Sequence, residues 1–471
     1  MKNILLLIVL TVSISVTGQQ LVLKKGVVID SVMVTDTIPQ SFSLYLPRAF
    51  EMSKSWPVVF VFDTDGKGEK ALKLLAPAAE KNGYILAASN DIRDSLSITK
   101  NIIIANRMFN SVFEILPIKR NRSYTAGFSQ GARLASVVPT FVNNISGVLS
   151  CGASVANTEV LSTKKPFHFI GIVGDKDFNY PDMLVTEKLL NRLKFPNQLL
   201  VFDGGHEWPS SEYLSKALEY FTLAAMTKDE TIANSEFISS IFSSNLGEVS
   251  GLLTQNKKLI ADHRLSQMLR VYKDVGYVDT IKATQKSLRR SKDYKVYNRM
   301  KNAVIFKENL IKDDYDYYLE EDILTYNYNN LGWWAFQKEE LGKFEKSTNI
   351  FERNMGVRLE GYLNALIEDN LYIIKQSEGN TDEEALNFLW MLKTIIAPKD
   401  YESYLNVISY NAKVSDNDTA LFYLEELLKQ GYSDKEKLYA LENTTLFRIT
   451  PEFNELIAKY LKEARYDIIQ E

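Results

Sequence analysis

Gly127-Phe128-Ser129-Gln130-Gly131 places a serine hydroxyl between two glycines, a spacing that can present a nucleophile on a sharp turn. A hydroxyl is a weak nucleophile at neutral pH. It needs a histidine to take its proton, a carboxylate to orient that histidine, and two amide N–H groups to hold a developing oxyanion. Read alone, the motif is equally a small residue at a helix start. The other three requirements decide what it is.

The base is the sharpest of them, because the chain has only three histidines. His168 lies inside the apolar run FHFIGIVG, where a structural role is expected, and His263 lies in a helical pattern (IADHRLSQML) that reads as a solvated face. His206 sits in VFDGGHEWPSSEY, just beyond the last apolar strand-like run of the first half. The acid is expected in the loop after FHFIGIVG: Gly174-Asp175-Lys176-Asp177 points to Asp177, with Asp175 as the alternative. The chain order serine, acid, histidine is that of an α/β-hydrolase. One oxyanion donor is then the amide of Gln130, directly after the serine, and the other the amide of Asp65 or Thr64 in FDTDGKGEK (62–70).

Other chemistries fit less well. Asp175, Asp177 and Asn179 resemble the opening of a calcium loop, yet Tyr180 replaces its glycine and Thr186 its final glutamate, so no metal is expected. GKGEK lacks the spacing of a phosphate-binding loop. The single cysteine, Cys151, follows the apolar ISGVLS and reads as buried. An acyl-transfer serine needs no cofactor, and none is expected.

The elements that would position these residues are legible upstream of Lys228. Leu21–Val34 and Ser41–Pro47 read as an opening hairpin. The apolar runs at 58–62, 84–89, 123–128, 145–150, 167–174 and 198–204 are each suited to a strand buried on both faces. Helical patterns near 68–82, 98–116, 130–142, 180–195 and 210–228 lie between and after them. This is the layout of an α/β-hydrolase domain with a mostly parallel eight-stranded sheet, expected over residues 19–228. From 229 to 471 the apolar residues recur at three- and four-residue spacing, the period of an all-α domain. Between Pro209 and Pro398 no proline interrupts it, which leaves Gly247, Gly251, Gly276 and Gly332 as the expected breaks. Residues 328–347 and 418–461 resemble tetratricopeptide-type helix pairs. Trp333 and Trp334 are expected in the core.

GFSQGARLA (127–135), GDKDFNYPDM (174–183) and FDGGHEWP (202–209) together resemble secreted α/β-hydrolase-fold serine esterases of the polyhydroxybutyrate depolymerase, feruloyl esterase and dienelactone hydrolase group. The resemblance lies within residues 19–228. It implies Ser129 as nucleophile, His206 as general base and then acid, Asp177 as its orienting carboxylate, and a small or polymer-attached ester as substrate. The sequence departs from the group at Asp63-Thr64, where many such esterases carry His-Gly. A second reading is a catalytically weak hydrolase fold that serves as a binding module, with residues 229–471 recruiting a protein partner.

Residues 1–18 (MKNILLLIVLTVSISVTG) read as a secretory signal peptide, so a secreted or periplasmic bacterial location is expected, with no membrane span after cleavage. The 471 residues, 45% hydrophobic and 24% charged, have room for two or three domains. The net charge of −4 gives no basic patch for a nucleic-acid partner.

Overall fold

In the computed structural model, which describes residues 23–35, 38–229, 233–274, 276–377 and 381–466, the apolar runs form one eight-stranded sheet. The signal-like segment, residues 1–18, lies outside the described residues. The strands are β1 (Val28–Met33), β2 (Ser41–Tyr45), β3 (Trp56–Phe62), β4 (Ile85–Ser89), β5 (Ile118–Phe128), β6 (Ile145–Cys151), β7 (His168–Gly174) and β8 (Asn197–Phe202). Their order is β1-β2-β4-β3-β5-β6-β7-β8. β1 and β2 pair antiparallel, β2 runs antiparallel to β4, and every later pair is parallel.

Parallel strands need crossovers, and five helices supply and close them. They are α1 (Gly68–Asn82), α2 (Ile98–Ile115), α3 (Gln130–Phe141), α4 (Tyr180–Arg192) and α5 (Ser211–Met226). α1 and α5 bury Leu72, Leu75, Leu218 and Phe221 against one face of the sheet. α2, α3 and α4 bury Phe109, Leu134 and Leu190 against the other. This three-layer arrangement, with the order reversal at β3 and β4, is the α/β-hydrolase fold. Because β3 to β8 run parallel, their C-terminal ends share one rim, and the reversal marks the point on it where ligands gather in open α/β sheets.

The rest of the chain is helical: α6 (Ser235–Thr254), α7 (Lys258–Val271), α8 (Val278–Arg290), α9 (Lys292–Thr325), α10 (Leu331–Glu345), α11 (Ile350–Gln376), α12 (Glu383–Ile396), α13 (Tyr401–Lys413), α14 (Asn417–Lys429), α15 (Lys435–Ala440) and α16 (Pro451–Leu461). Polar caps set many of the starts. Asn234, Ser291, Asn349, Asp382, Asp416, Asp434 and Thr450 each accept a first-turn amide. Phe242, Leu265 and Ile281, from α6 to α8, join the same apolar cluster as α1 and α5, so one core runs across the start of the helical half. α7 also covers the edge of the sheet: the Leu199 amide of β8 donates to Gln267 Oε1 at 3.0 Å. Among the described residues no helix is long and apolar enough to cross a membrane.

Two readings of the helical half are corrected. Gly247, Gly251 and Gly332 lie inside α6 and α10, and only Gly276, at φ +103, sits in a turn. A lone helical glycine costs about 1 kcal/mol against alanine, which tertiary packing readily outweighs. Residues 328–347 form one short 3-10 turn and one helix, α10, not a helix pair. Residues 418–461 fall on α14, α15 and α16, with a turn at Gly431. Trp334 is fully buried and donates Nε1–H to Asp322 at 2.8 Å, while Trp333 packs beside it.

Candidate active site

β5 delivers Ser129 to the rim and α3 begins at the next residue. The serine holds φ 51° and ψ −121°, a left-handed backbone that L residues avoid and that points the side chain outward from a tight strand-to-helix turn. The flanking glycines are required by contact. A Cβ on Gly127 would stand 2.3 Å from the Gly131 carbonyl carbon, and one on Gly131 would stand 2.2 Å from the Phe62 carbonyl oxygen. That second approach also seats the turn directly against the loop after β3.

The loop after β8 brings His206 over the serine. Its Nε2 lies 3.0 Å from Ser129 Oγ, and its Nδ1 lies 3.0 Å from both carboxylate oxygens of Asp177. A carboxylate only accepts, so Nδ1 carries the proton and Nε2 is left to accept from the serine hydroxyl. Phe128 and Phe178 flank the imidazole at ring separations of 4.7 and 4.4 Å, which shields it from water and limits its tilt. The acid is locked as well. Asp177 is 1% exposed and accepts the Asn179 amide at 2.9 Å, while Asn179 Nδ2 donates to the Gly152 carbonyl at 2.7 Å. Gly152, at φ +64, leaves room for the pair: a Cβ there would lie 3.1 Å from Asp177 Oδ2 and 3.3 Å from His206 Cε1.

Asp175 points elsewhere. Its Oδ2 accepts from Asn354 Nδ2 at 2.8 Å, and its main-chain carbonyl accepts from Arg358 Nη1 at 2.6 Å. Arg358 is itself fixed by a buried two-pronged pair with Glu308, at 2.8 and 2.6 Å. Asn354 and Arg358 come from α11, which continues across the rim. Gly361 lies against Phe178 and Tyr372 donates to the Asp94 carbonyl at 3.2 Å. The Asp94 amide in turn donates to the Thr64 carbonyl at 3.0 Å. One helix of the second half therefore touches the acid loop at one end and braces the loop after β3 at the other. No local motif announces this, since Asn354, Arg358 and Tyr372 look like ordinary helix residues.

Of the amides considered for the oxyanion, that of Gln130 is the first of α3 and has no intrahelical acceptor. The Asp65 amide is engaged, donating to Asp63 Oδ1 at 2.9 Å. The Thr64 amide has no partner among the described residues. Arg93 packs beneath this loop at Gly66, whose φ of +67 and lack of a Cβ make space for the guanidinium.

The remaining sequence candidates stand apart. His168 is buried, pairs through Nε2 with Gln198 Oε1, and is held down to about 4 by desolvation. His263 pairs with Glu187 at 3.2 Å on the outer side of β8. Cys151 is fully buried, and its burial pushes the thiol well above its ordinary range. Among the described residues no group of three His, Cys, Asp or Glu side chains is arranged to hold a metal ion.

No protein-family model matches the chain, and no curated protein matches it closely enough to count as a relative. Solved structures similar to it include FphF, a fluorophosphonate-binding serine hydrolase of Staphylococcus aureus, 14% identical over 42% of this chain and 99% of its own, with a TM-score of 0.35. Est1E from Butyrivibrio proteoclasticus is 12% identical over 42% of this chain and 98% of its own, at 0.34. Esterase B from Lactobacillus rhamnosis, inhibited by a tributyrin phosphonate, is 14% identical over 43% of this chain and 87% of its own, at 0.36. The fold assignment rests on strand order and connections.

Proposed function

We propose that this protein is a serine hydrolase that cleaves carboxylic esters through an acyl-enzyme on Ser129. The observation that carries the reading is the unbroken hydrogen-bonded chain from Ser129 Oγ through the His206 ring to Asp177, built on a serine held at positive φ. Such a backbone costs on the order of 1–3 kcal/mol and persists where the surrounding structure enforces it, which suits a nucleophile better than a helix cap.

In this reading Ser129 Oγ attacks the ester carbonyl carbon as His206 Nε2 takes its proton. The carbonyl oxygen becomes an oxyanion, received by the amides of Gln130 and Thr64. Collapse expels the alkoxide, which leaves with the proton from Nε2, and the acyl group stays on Ser129. Water then repeats the cycle: Nε2 takes its proton, the hydroxyl adds to the acyl carbon, and Ser129 leaves reprotonated with release of the carboxylic acid. Asp177 keeps the ring in the required tautomer throughout and stabilises the imidazolium.

The short segment between β6 and β7 leaves little chain for a lid of its own, and the covering element is instead α11. Burial raises the Asp369 carboxyl of that helix above its ordinary range, with Arg133 and Asp94 among the charges that act on it. This polar rim favours polar or polymer-attached esters over long acyl chains. The signal-like residues 1–18 support a location outside the cytoplasm, and the helical half, residues 229–471, is the part that would recruit a protein partner.

A fluorophosphonate probe tests the reading. Wild-type protein is expected to label, with labelling lost in Ser129→Ala and His206→Ala. A wild type that stays unlabelled while correctly folded would favour the binding-module reading instead.

A further inference from the structure

The sheet's outer edge does not close tightly on the helical half. Where β8 meets α4, α7, α9 and the start of α11, apolar side chains line a cavity of about 440 Å³. Leu184, Leu199, Val201, Val304 and Ile305 form much of its wall. Ser129, Asp177 and His206 are not part of it. Protein interiors pack to a density of about 0.74 with few voids larger than a water molecule, and clefts of roughly 300–1,000 Å³ are of the size that holds small molecules.

The charges around this cavity are unbalanced in one direction. Arg264 lines it and is 7% exposed, yet its Nη1 has no hydrogen-bond partner among the described residues. The nearby carboxylate, Glu248, stays 3.7 Å from its Nε and is shared with Lys216. Arg264 is thus an ion-paired cation with one buried donor, Nη1, still open to an acceptor, and leaving such a donor open is costly. Lys257 and Lys301 also line the cavity, and neither makes an ion pair among the described residues; the Lys301 ammonium stands 5.5 Å from the Tyr180 ring centre. The other wall cations are answered: Lys176 by Asp203 and Lys258 by Asp293, each at 2.7 Å, and Arg358 by Glu308. The remaining acid, Asp175, accepts from Asn354 through Oδ2 while its Oδ1 has no partner among the described residues, so a single carboxylate stands against this excess of cations.

We propose that this cavity binds a fatty-acid-like amphiphile, with its carboxylate drawn to Arg264, Lys257 and Lys301 and its apolar body along Leu199, Val201, Val304 and Ile305. The site is separate from the proposed ester chemistry and stands or falls without it. Asp175, Asn354 and Arg358 form part of the wall, so an occupant would lie against the contacts that hold the acid loop.

Isothermal titration of the full chain with sodium dodecanoate, below its micelle concentration, tests this, with dodecyltrimethylammonium as the control of equal chain length and opposite charge. Wild type is expected to bind dodecanoate at one site and the cation roughly tenfold more weakly or not at all. The double variant Lys257→Glu/Lys301→Glu, which changes only the two unpaired lysines, is expected to lose about tenfold in affinity for dodecanoate. Ile305→Trp, which fills the cavity from a half-buried position, is expected to abolish the site. Absence of dodecanoate binding, equal binding of the two amphiphiles, or equal dodecanoate binding by wild type and the charge-reversed double variant would overturn the proposal.

Discussion

Arg358 donates through Nη1 to the main-chain carbonyl of Asp175 at 2.6 Å, across 183 residues of sequence and two positions before the carboxylate that holds His206. The acid loop of the α/β half is thus clamped by a helix of the other half. Asn354→Ala removes the companion bond to Asp175 and leaves the Arg358–Glu308 pair intact. Its expected effect is a fall in kcat of roughly tenfold with KM little changed, because Asp177 and the ring it holds are displaced rather than the substrate. Arg358→Ala is expected to cost about 3–5 kcal/mol in chemical denaturation, since Glu308 is left buried at 1% side-chain exposure with no counter-charge.

Of the two amides considered in the loop after β3, that of Thr64 is the one without a partner among the described residues. Thr64→Pro deletes this donor and leaves every charge in place. Steady-state hydrolysis of a short-chain ester is expected to slow by about 10²–10³-fold, the usual effect of losing one oxyanion donor. Asp65→Asn keeps the loop's amides and removes a charge, and is expected to retain most activity. Equal rates for wild type and Thr64→Pro would place the second donor elsewhere.

Ser129 sits at φ 51°, so the Cβ itself is the source of strain. Ser129→Ala and Ser129→Gly are both expected to be inactive, but only glycine relieves the backbone. Ser129→Gly should be the more stable of the two by about 1 kcal/mol, after allowance for its greater unfolded-state freedom. Urea denaturation of the pair provides the comparison.

Burial holds His168 at about 4 in the folded protein, below the ordinary histidine value of 6.5. As pH falls through 6.5 the unfolded chain takes up a proton on this ring and the folded chain does not, so the unfolded state gains. Stability is therefore full above pH 6.5 and falls progressively to about pH 4, by about 3 kcal/mol for this residue. A folded His168→Gln variant should show a flatter stability curve over that window.

The sheet was readable because a strand buried on both faces is apolar almost throughout: VVFVF has no polar side chain, and FHFIGIVG has one, His168, which pairs with Gln198. Ser129, Asp177 and His206 were conspicuous because each follows directly on such a strand. Which of the Asp65 and Thr64 amides is already engaged was not readable, since it turns on the Asp63 side chain folding back onto the Asp65 amide. The α11 clamp was equally hidden. Its parts are an asparagine and an arginine at four-residue spacing on a long amphipathic helix, and only the packing of that helix against the acid loop gives them meaning. Gly247, Gly251 and Gly332 misled for the opposite reason, because their local preference is overridden by neighbours far away in sequence.

The reach of the Arg358 contact has a consequence in time. Chains emerge at roughly 5–20 residues per second, so the 183 residues from Asp175 to Arg358 take on the order of 10–40 s to follow. During that interval Ser129 and His206 already exist as sequence, while the loop that must steady them is unbraced. Until Arg358 has been made, the proposed triad would stand on an acid loop without its clamp.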